Sequence, residues 1–149
     1  MVKKIIFVTG TRADFGKIKS TIKRLKKNKN YKITIIVTGM HLMQKYGSTY
    51  LEIKKSFPHT DIRKFKNQKN YQSQDLILSN TINKISPLLK KISPDMIIVH
   101  GDRVESLATA IAGSFNNFLI AHIEGGEVSG TIDEHIRHSI SKLAHLHFV

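Results

Sequence analysis

Short, unbroken runs of β-branched and aromatic residues alternate along this chain with longer stretches of helical periodicity, and that alternation limits the fold more than any other feature. Lys4–Thr9, Ile33–Val37, Asp95–His100, Phe118–Ile123 and His145–Val149 read as strands. Between them, Ile18, Ile22 and Leu25 mark an amphipathic helix over about 15–28, and Leu76, Ile77, Ile82, Ile85, Leu88 and Leu89 mark another over about 73–92. Further helices are predicted over 104–114 and 133–143, and one over 41–55 with an interruption at Gly47. Pro87 is expected to kink the second long helix or divide it. Residues 57–71 show no period beyond one short strand at Asp61-Ile62-Arg63.

The strand runs are too apolar for a half-exposed sheet. They predict a doubly wound parallel sheet with helices on both faces, a Rossmann-like α/β domain. A chain of 149 residues is long enough for one such domain and short for two. It ends on an apolar strand without a polar tail, which predicts that a longer protein continues beyond Val149.

Composition narrows the chemistry. There is no cysteine, so a disulfide scaffold, a thiol nucleophile and a thiolate zinc site are excluded. Ile5–Val8 is too short for a secretory apolar core, and no stretch approaches the roughly 20 apolar residues of a membrane span. A cytoplasmic protein with no membrane partner is expected. The net charge of +13 is uneven: residues 1–100 hold 21 Lys/Arg against 5 Asp/Glu, and residues 101–149 hold 3 against 6. The lysines fall on polar helix faces and in loops, where solvation accounts for them, so no nucleic-acid partner is expected.

In open parallel sheets, ligands bind beyond the carboxyl ends of the strands. Three loops there carry the unusual residues: Gly10–Lys17 after the first strand, Gly101-Asp102-Arg103 after the strand at 95–100, and Glu124–Glu127 after the strand at 118–123. The first loop fits neither a P-loop nor a dinucleotide fingerprint, because five residues separate Gly10 from Gly16 and Lys17 is followed by Ile18. It reads as a glycine-bounded turn feeding a helix N-terminus, with Arg12 and Lys17 adding positive charge for a diphosphate, or as a tight turn with exposed cations. Asp102, Glu124, Glu127 and Asp133 crowd one segment, and close carboxylates are expected to raise at least one pKa. Helix capping is the competing role for Asp102 and Asp133. His135 with His138, and His145 with His147, point different ways, so no metal site is expected. His122 reads as a hydrogen-bonded core histidine.

Several stretches together resemble the hydrolysing UDP-N-acetylglucosamine 2-epimerases of sialic-acid and related pathways. They are Val8–Phe15, Thr38-Gly39-Met40-His41-Leu42, Lys45–Thr49, Val99–Arg103 and above all His122–Asp133, which runs on into Ile136-Arg137-His138. The resemblance extends in order over essentially the whole chain. It implies the first of two Rossmann-like domains, with the UDP-sugar bound between them, and homo-oligomers of the full-length protein. It further implies catalysis by Asp102, Glu124 and Asp133. Substrate contacts are implied for Gly10, Arg12, Lys17, Arg103, Glu127, Arg137 and His138, with Arg12 and Lys17 near the diphosphate. No metal or redox cofactor is implied. The same motifs fit a hydrolysing epimerase of a 2,4-diacetamido-trideoxy UDP-sugar in the legionaminic-acid route. A non-hydrolysing relative would carry Arg-Pro-Glu where this chain has Arg12-Ala13-Asp14. A non-catalytic nucleotide-sugar binding module is the alternative from another class.

Overall fold

The computed structural model describes residues 1–149. Six parallel strands, β1 (Lys3–Thr9), β2 (Tyr31–Val37), β3 (Asp61–Lys64), β4 (Met96–His100), β5 (Leu119–Ile123) and β6 (Leu146–Phe148), form one sheet in the order β3-β2-β1-β4-β5-β6. The central strands β1, β2 and β4 are largely apolar because both their faces are covered, whereas the edge strands β3 and β6 have no buried residue. On β1, Ile5 and Phe7 face one core, with Phe15, Ile18 and Ile22 of helix α1 (Arg12–Leu25) and Ile53 of the short helix α2 (Tyr50–Ser56). Ile6 and Val8 face the other, with Ile85 and Leu89 of α3 (Gln74–Ile92), Ala110 and Ala112 of α4 (Val104–Ser114) and Ile140 of α5 (Ile132–Leu143). Each fully buried Phe or Ile side chain here contributes about 1.5–3 kcal/mol of transfer free energy.

This strand order follows from right-handed crossovers. The first two connections step outward from β1 on one face. The long connection through α3 then returns to β4 on β1's free side, and later strands step the opposite way. The order therefore reverses between β1 and β4, and the crevice opens above their carboxyl ends.

Three sequence expectations are corrected. Helix α1 starts at Arg12 rather than near Phe15, because Thr11 and Asp14 form a reciprocal capping box. The loop after β1 thus shrinks to Gly10-Thr11, and Lys17 sits on the helix. The helix expected over 41–55 is instead two 3-10 turns, Gly39–Leu42 and Gln44–Tyr46, followed by α2. Gly47 ends the second turn in the left-handed region, at φ 77°. Pro87 does not divide α3, which runs unbroken to Ile92. Pro87 and Asn83, whose carbonyl its missing N–H would have met, are both exposed, so water can satisfy that carbonyl. No helix is long and apolar enough to cross a membrane.

Candidate active site

The carboxyl end of β1 is fixed by a buried polar network. The Asp14 carboxylate accepts from the Thr9 hydroxyl (2.6 Å), the Gly10 N–H (2.9 Å) and the Thr11 N–H (3.0 Å). Because Thr9 donates its single proton to Asp14, it accepts from His41 Nε2 (3.0 Å), leaving His41 Nδ1 to accept from the Thr49 hydroxyl (2.7 Å). His41 is fully buried, and burial pushes its pKa below the ordinary value, opposed by the nearby Asp14 charge. The imidazole is therefore a neutral strut tying the β1 end to the β2 end.

Gly39 opens that second end at φ 61°, a left-handed conformation. A Cβ there would lie 2.6 Å from Glu105 Oε1 and 2.8 Å from the Gly10 carbonyl oxygen. Gly39→Ala is accordingly expected to lower stability by about 2–3 kcal/mol, from conformational strain and overlap together. A urea midpoint unchanged in this variant would contradict the close packing.

The carboxyl ends of β4 and β5 lie side by side, in the register His100↔Ile123. Glu124 leaves β5 at φ 57°, uncommon for a residue with a side chain. Its Oε1 accepts from Lys17 Nζ at 3.1 Å, and His100 Nε2 lies 3.1 Å from its Oε2, in a contact not aligned as a hydrogen bond. The Lys17 hydrogen bond holds the Glu124 carboxyl below its ordinary range, outweighing the opposing effect of burial, and the nearby His100 adds to the depression. The sequence predicts a raised pKa among crowded carboxylates; Glu124 departs from that expectation, with Lys17 as its cation, and Asp102 has a cation of its own. Asp102 is held by Arg137 Nη2, whose Nη1 donates to the Glu127 carbonyl (2.6 Å). Arg137 is buried; its Nη groups meet these protein partners and its Nε has none.

Asp102 and Asp133 do not cap helices. Arg103 and Thr131 occupy those positions without side-chain caps, and Glu134 takes up the Ser129 and Gly130 N–H groups at the entry to α5. Both aspartates instead line one cavity of about 300 Å³, together with Arg103, Met40, Met43 and Tyr46. Beside it, sharing Met43, Gln68 and Lys69, opens a larger cavity of about 880 Å³ with Lys45, Lys64 and Lys66 in its walls. Carboxylates thus sit at the sheet's switch point next to a cationic wall, an arrangement suited to a sugar carrying phosphate.

The structure brings Asp102, Arg103 and Asp133 onto one cavity, and Lys17 and Glu124 into one ion pair. Gly10 lies in the buried network below. Arg12 turns toward α2, with Nε 3.3 Å from Glu52 Oε2. The Glu127 and His138 side chains are exposed. Sequence reasoning missed His100, Asp14, His41 and Glu105. Asp14 carried a readable signal, the Thr11-x-x-Asp14 spacing of a capping box. Core histidine His122 is as expected: its Nε2 meets the Gly101 carbonyl (2.7 Å), its Nδ1 the Ser141 hydroxyl (3.1 Å), and burial lowers its pKa.

Comparison with known proteins follows the same lines. Residues 23–149 match the family model described as UDP-N-acetylglucosamine 2-epimerase. The chain is 48% identical over 149 residues to UDP-N-acetylglucosamine 2-epimerase of Neisseria meningitidis serogroup B, covering 99% of this chain and 39% of that protein. It is 41% identical over 155 residues to UDP-N,N'-diacetylbacillosamine 2-epimerase (hydrolyzing) of Legionella pneumophila, covering 100% and 40%. A crystal structure of a UDP-N-acetylglucosamine 2-epimerase superposes with a TM-score of 0.87 at 26% identity, over all of this chain and 42% of the other. The chain thus spans about two fifths of the length of the curated relatives it matches.

Proposed function

The chain belongs to the UDP-N-acetylglucosamine 2-epimerase family, and from that membership we propose that it forms the first domain of a hydrolysing epimerase that converts UDP-N-acetylglucosamine to UDP and N-acetylmannosamine. The observation that carries the reading is the placement of Glu124 and Asp102 just past the carboxyl ends of β5 and β4 and of Asp133 at the start of α5, with both aspartates on a cavity that adjoins a lysine-lined one.

Inverting C2 requires removal of a weakly acidic proton. A carboxylate takes that proton while the C1–O bond breaks and its electron pair leaves with UDP, giving a 2-acetamidoglucal. Positive charge building at C1 is stabilised by a second carboxylate, and charge building on the diphosphate by cations such as Lys17 and Arg103. Water then adds across the double bond, its oxygen at C1 and a proton at C2 from the opposite face. Glu124 is ionised at neutral pH, and so is competent as base or as C1 stabiliser. Its left-handed backbone conformation fits a residue held for chemistry rather than for strand geometry.

The Lys17 contact yields a pH prediction. Glu124 stays ionised until the pH falls through a value below its ordinary 4.5. Lys17→Met removes the largest cause of that depression, so the acid limb of kcat/KM is expected to move to higher pH. An acid limb that stays where it was would show that another group controls it.

A second substrate is favoured by the Legionella relative, named for a diacetylbacillosamine sugar. The discriminating experiment incubates the protein, expressed from its full open reading frame, with each UDP-sugar in heavy water and follows proton NMR. Free UDP with a C2-deuterated manno-configured sugar supports hydrolysing epimerisation, and the faster substrate names the sugar. A UDP-linked epimer would replace this reading with the non-hydrolysing one. No reaction with either sugar would leave a non-catalytic binding module.

A further inference from the structure

Glu105, in the first turn of α4, is the most deeply buried carboxylate in the molecule, at 1% exposure. Its Oε2 accepts from Arg103 Nε at 3.3 Å, and its Oε1 has no hydrogen-bond partner. The group is wedged beneath the ends of β1 and β2. A Cβ at Gly10 would lie 3.2 Å from its Cδ, and one at Gly39 2.6 Å from its Oε1. An enclosed carboxylate with one oxygen unpaired is a poor stabilising element, since an apolar side chain of similar size would fill the same space without the desolvation cost. Its presence calls for a role other than packing.

Arg103 supplies that role. It lines the cavity that also holds Asp102 and Asp133. The protein engages it only through the Nε edge, on Glu105. Held at Nε alone, the guanidinium leaves its two Nη groups free to meet two phosphate oxygens at once. Without that grip, a neighbouring carboxylate, Asp102 or Asp133, would compete for the same cation. We infer that Glu105 is a positioning residue, which aims Arg103 at the diphosphate of a nucleotide sugar bound over the switch point. The inference rests on the nucleotide-sugar reading for its ligand, but the grip itself is a property of the protein alone.

The test uses the full-length protein with Glu105→Gln, Arg103→Lys and the double variant. Glutamine keeps the shape and removes the charge. Glu105→Gln is expected to raise KM for the UDP-sugar about tenfold with kcat within about twofold, the split produced by losing ground-state binding. Its thermal midpoint is expected to be equal or higher, because a buried charge has gone. The double variant should bind no worse than Arg103→Lys alone, since both changes act on one contact. Multiplying effects, or a loss confined to kcat, would overturn the assignment. Should the wild-type protein turn over no UDP-sugar, the functional reading fails and the grip is judged separately by NMR. The Arg103 Nε–H resonance, identified by its loss in Arg103→Lys, should then be protected from solvent exchange in the wild type and unprotected in Glu105→Gln. An unprotected resonance in the wild type would refute the grip itself.

Discussion

Glu124→Gln is expected to reduce kcat for the UDP-sugar by about a thousandfold, the middle of the range for losing a positioned proton-transfer group. Glutamine is isosteric, and its carbonyl oxygen can still accept from Lys17 Nζ, so the side chain should stay in place. What disappears is the negative charge and the capacity to take a proton. The lost Lys17 ion pair is partly exposed and adds little to stability, so the urea midpoint should be nearly unchanged. UDP release measured under saturating substrate reads the effect directly. If Glu124→Gln keeps more than about a tenth of wild-type kcat, Glu124 is neither the base nor the C1 stabiliser, and those roles pass to Asp102 and Asp133. The same assay on Asp102→Asn carries a different signature. Asp102 is held by Arg137, which also carries the Glu127 carbonyl, so its loss should loosen the segment before α5 as well as slow the reaction.

The largest stability effect is expected at Asp14 rather than among the catalytic candidates. Asp14→Ala strips the acceptor from the Thr9 hydroxyl and from the Gly10 and Thr11 N–H groups. All three donors are at the first turn of α1 and the end of β1, and Asp14 itself is only 5% exposed, so water cannot readily replace it. Unsatisfied buried donors cost about 1–3 kcal/mol each, partly recovered by relaxation, so a total loss of about 4 kcal/mol is expected. Thr9 would also be freed to reorient, which disturbs the partner of His41 Nε2. Urea denaturation measures the change. A loss below about 1 kcal/mol would mean that the network is satisfied in some other way than through Asp14.

The sequence by itself determined the elements and the edge at which the site lies. Apolar runs such as Ile33–Val37 can be buried on both faces only in a covered parallel sheet, and the loops after three of those runs carry the carboxylates, cations and glycines. These are local properties, written in periods of two and 3.6 residues, and so they survive without knowledge of the fold. The short-range misjudgements, the start of α1 and the 3-10 turns over 39–46, arose where one cap or one left-handed glycine outweighed helical spacing. Only the tertiary structure decided which charges meet. Lys17 and Glu124 are 107 residues apart, and Asp102 and Arg137 are 35 apart. Whether such groups touch depends on strand order, on register and on which way each side chain leaves its element. Glu105 shows the same dependence most sharply: at its place in the sequence it is one more polar residue in the first turn of a helix, and only the close approach of Gly10 and Gly39 turns it into a buried wedge behind Arg103.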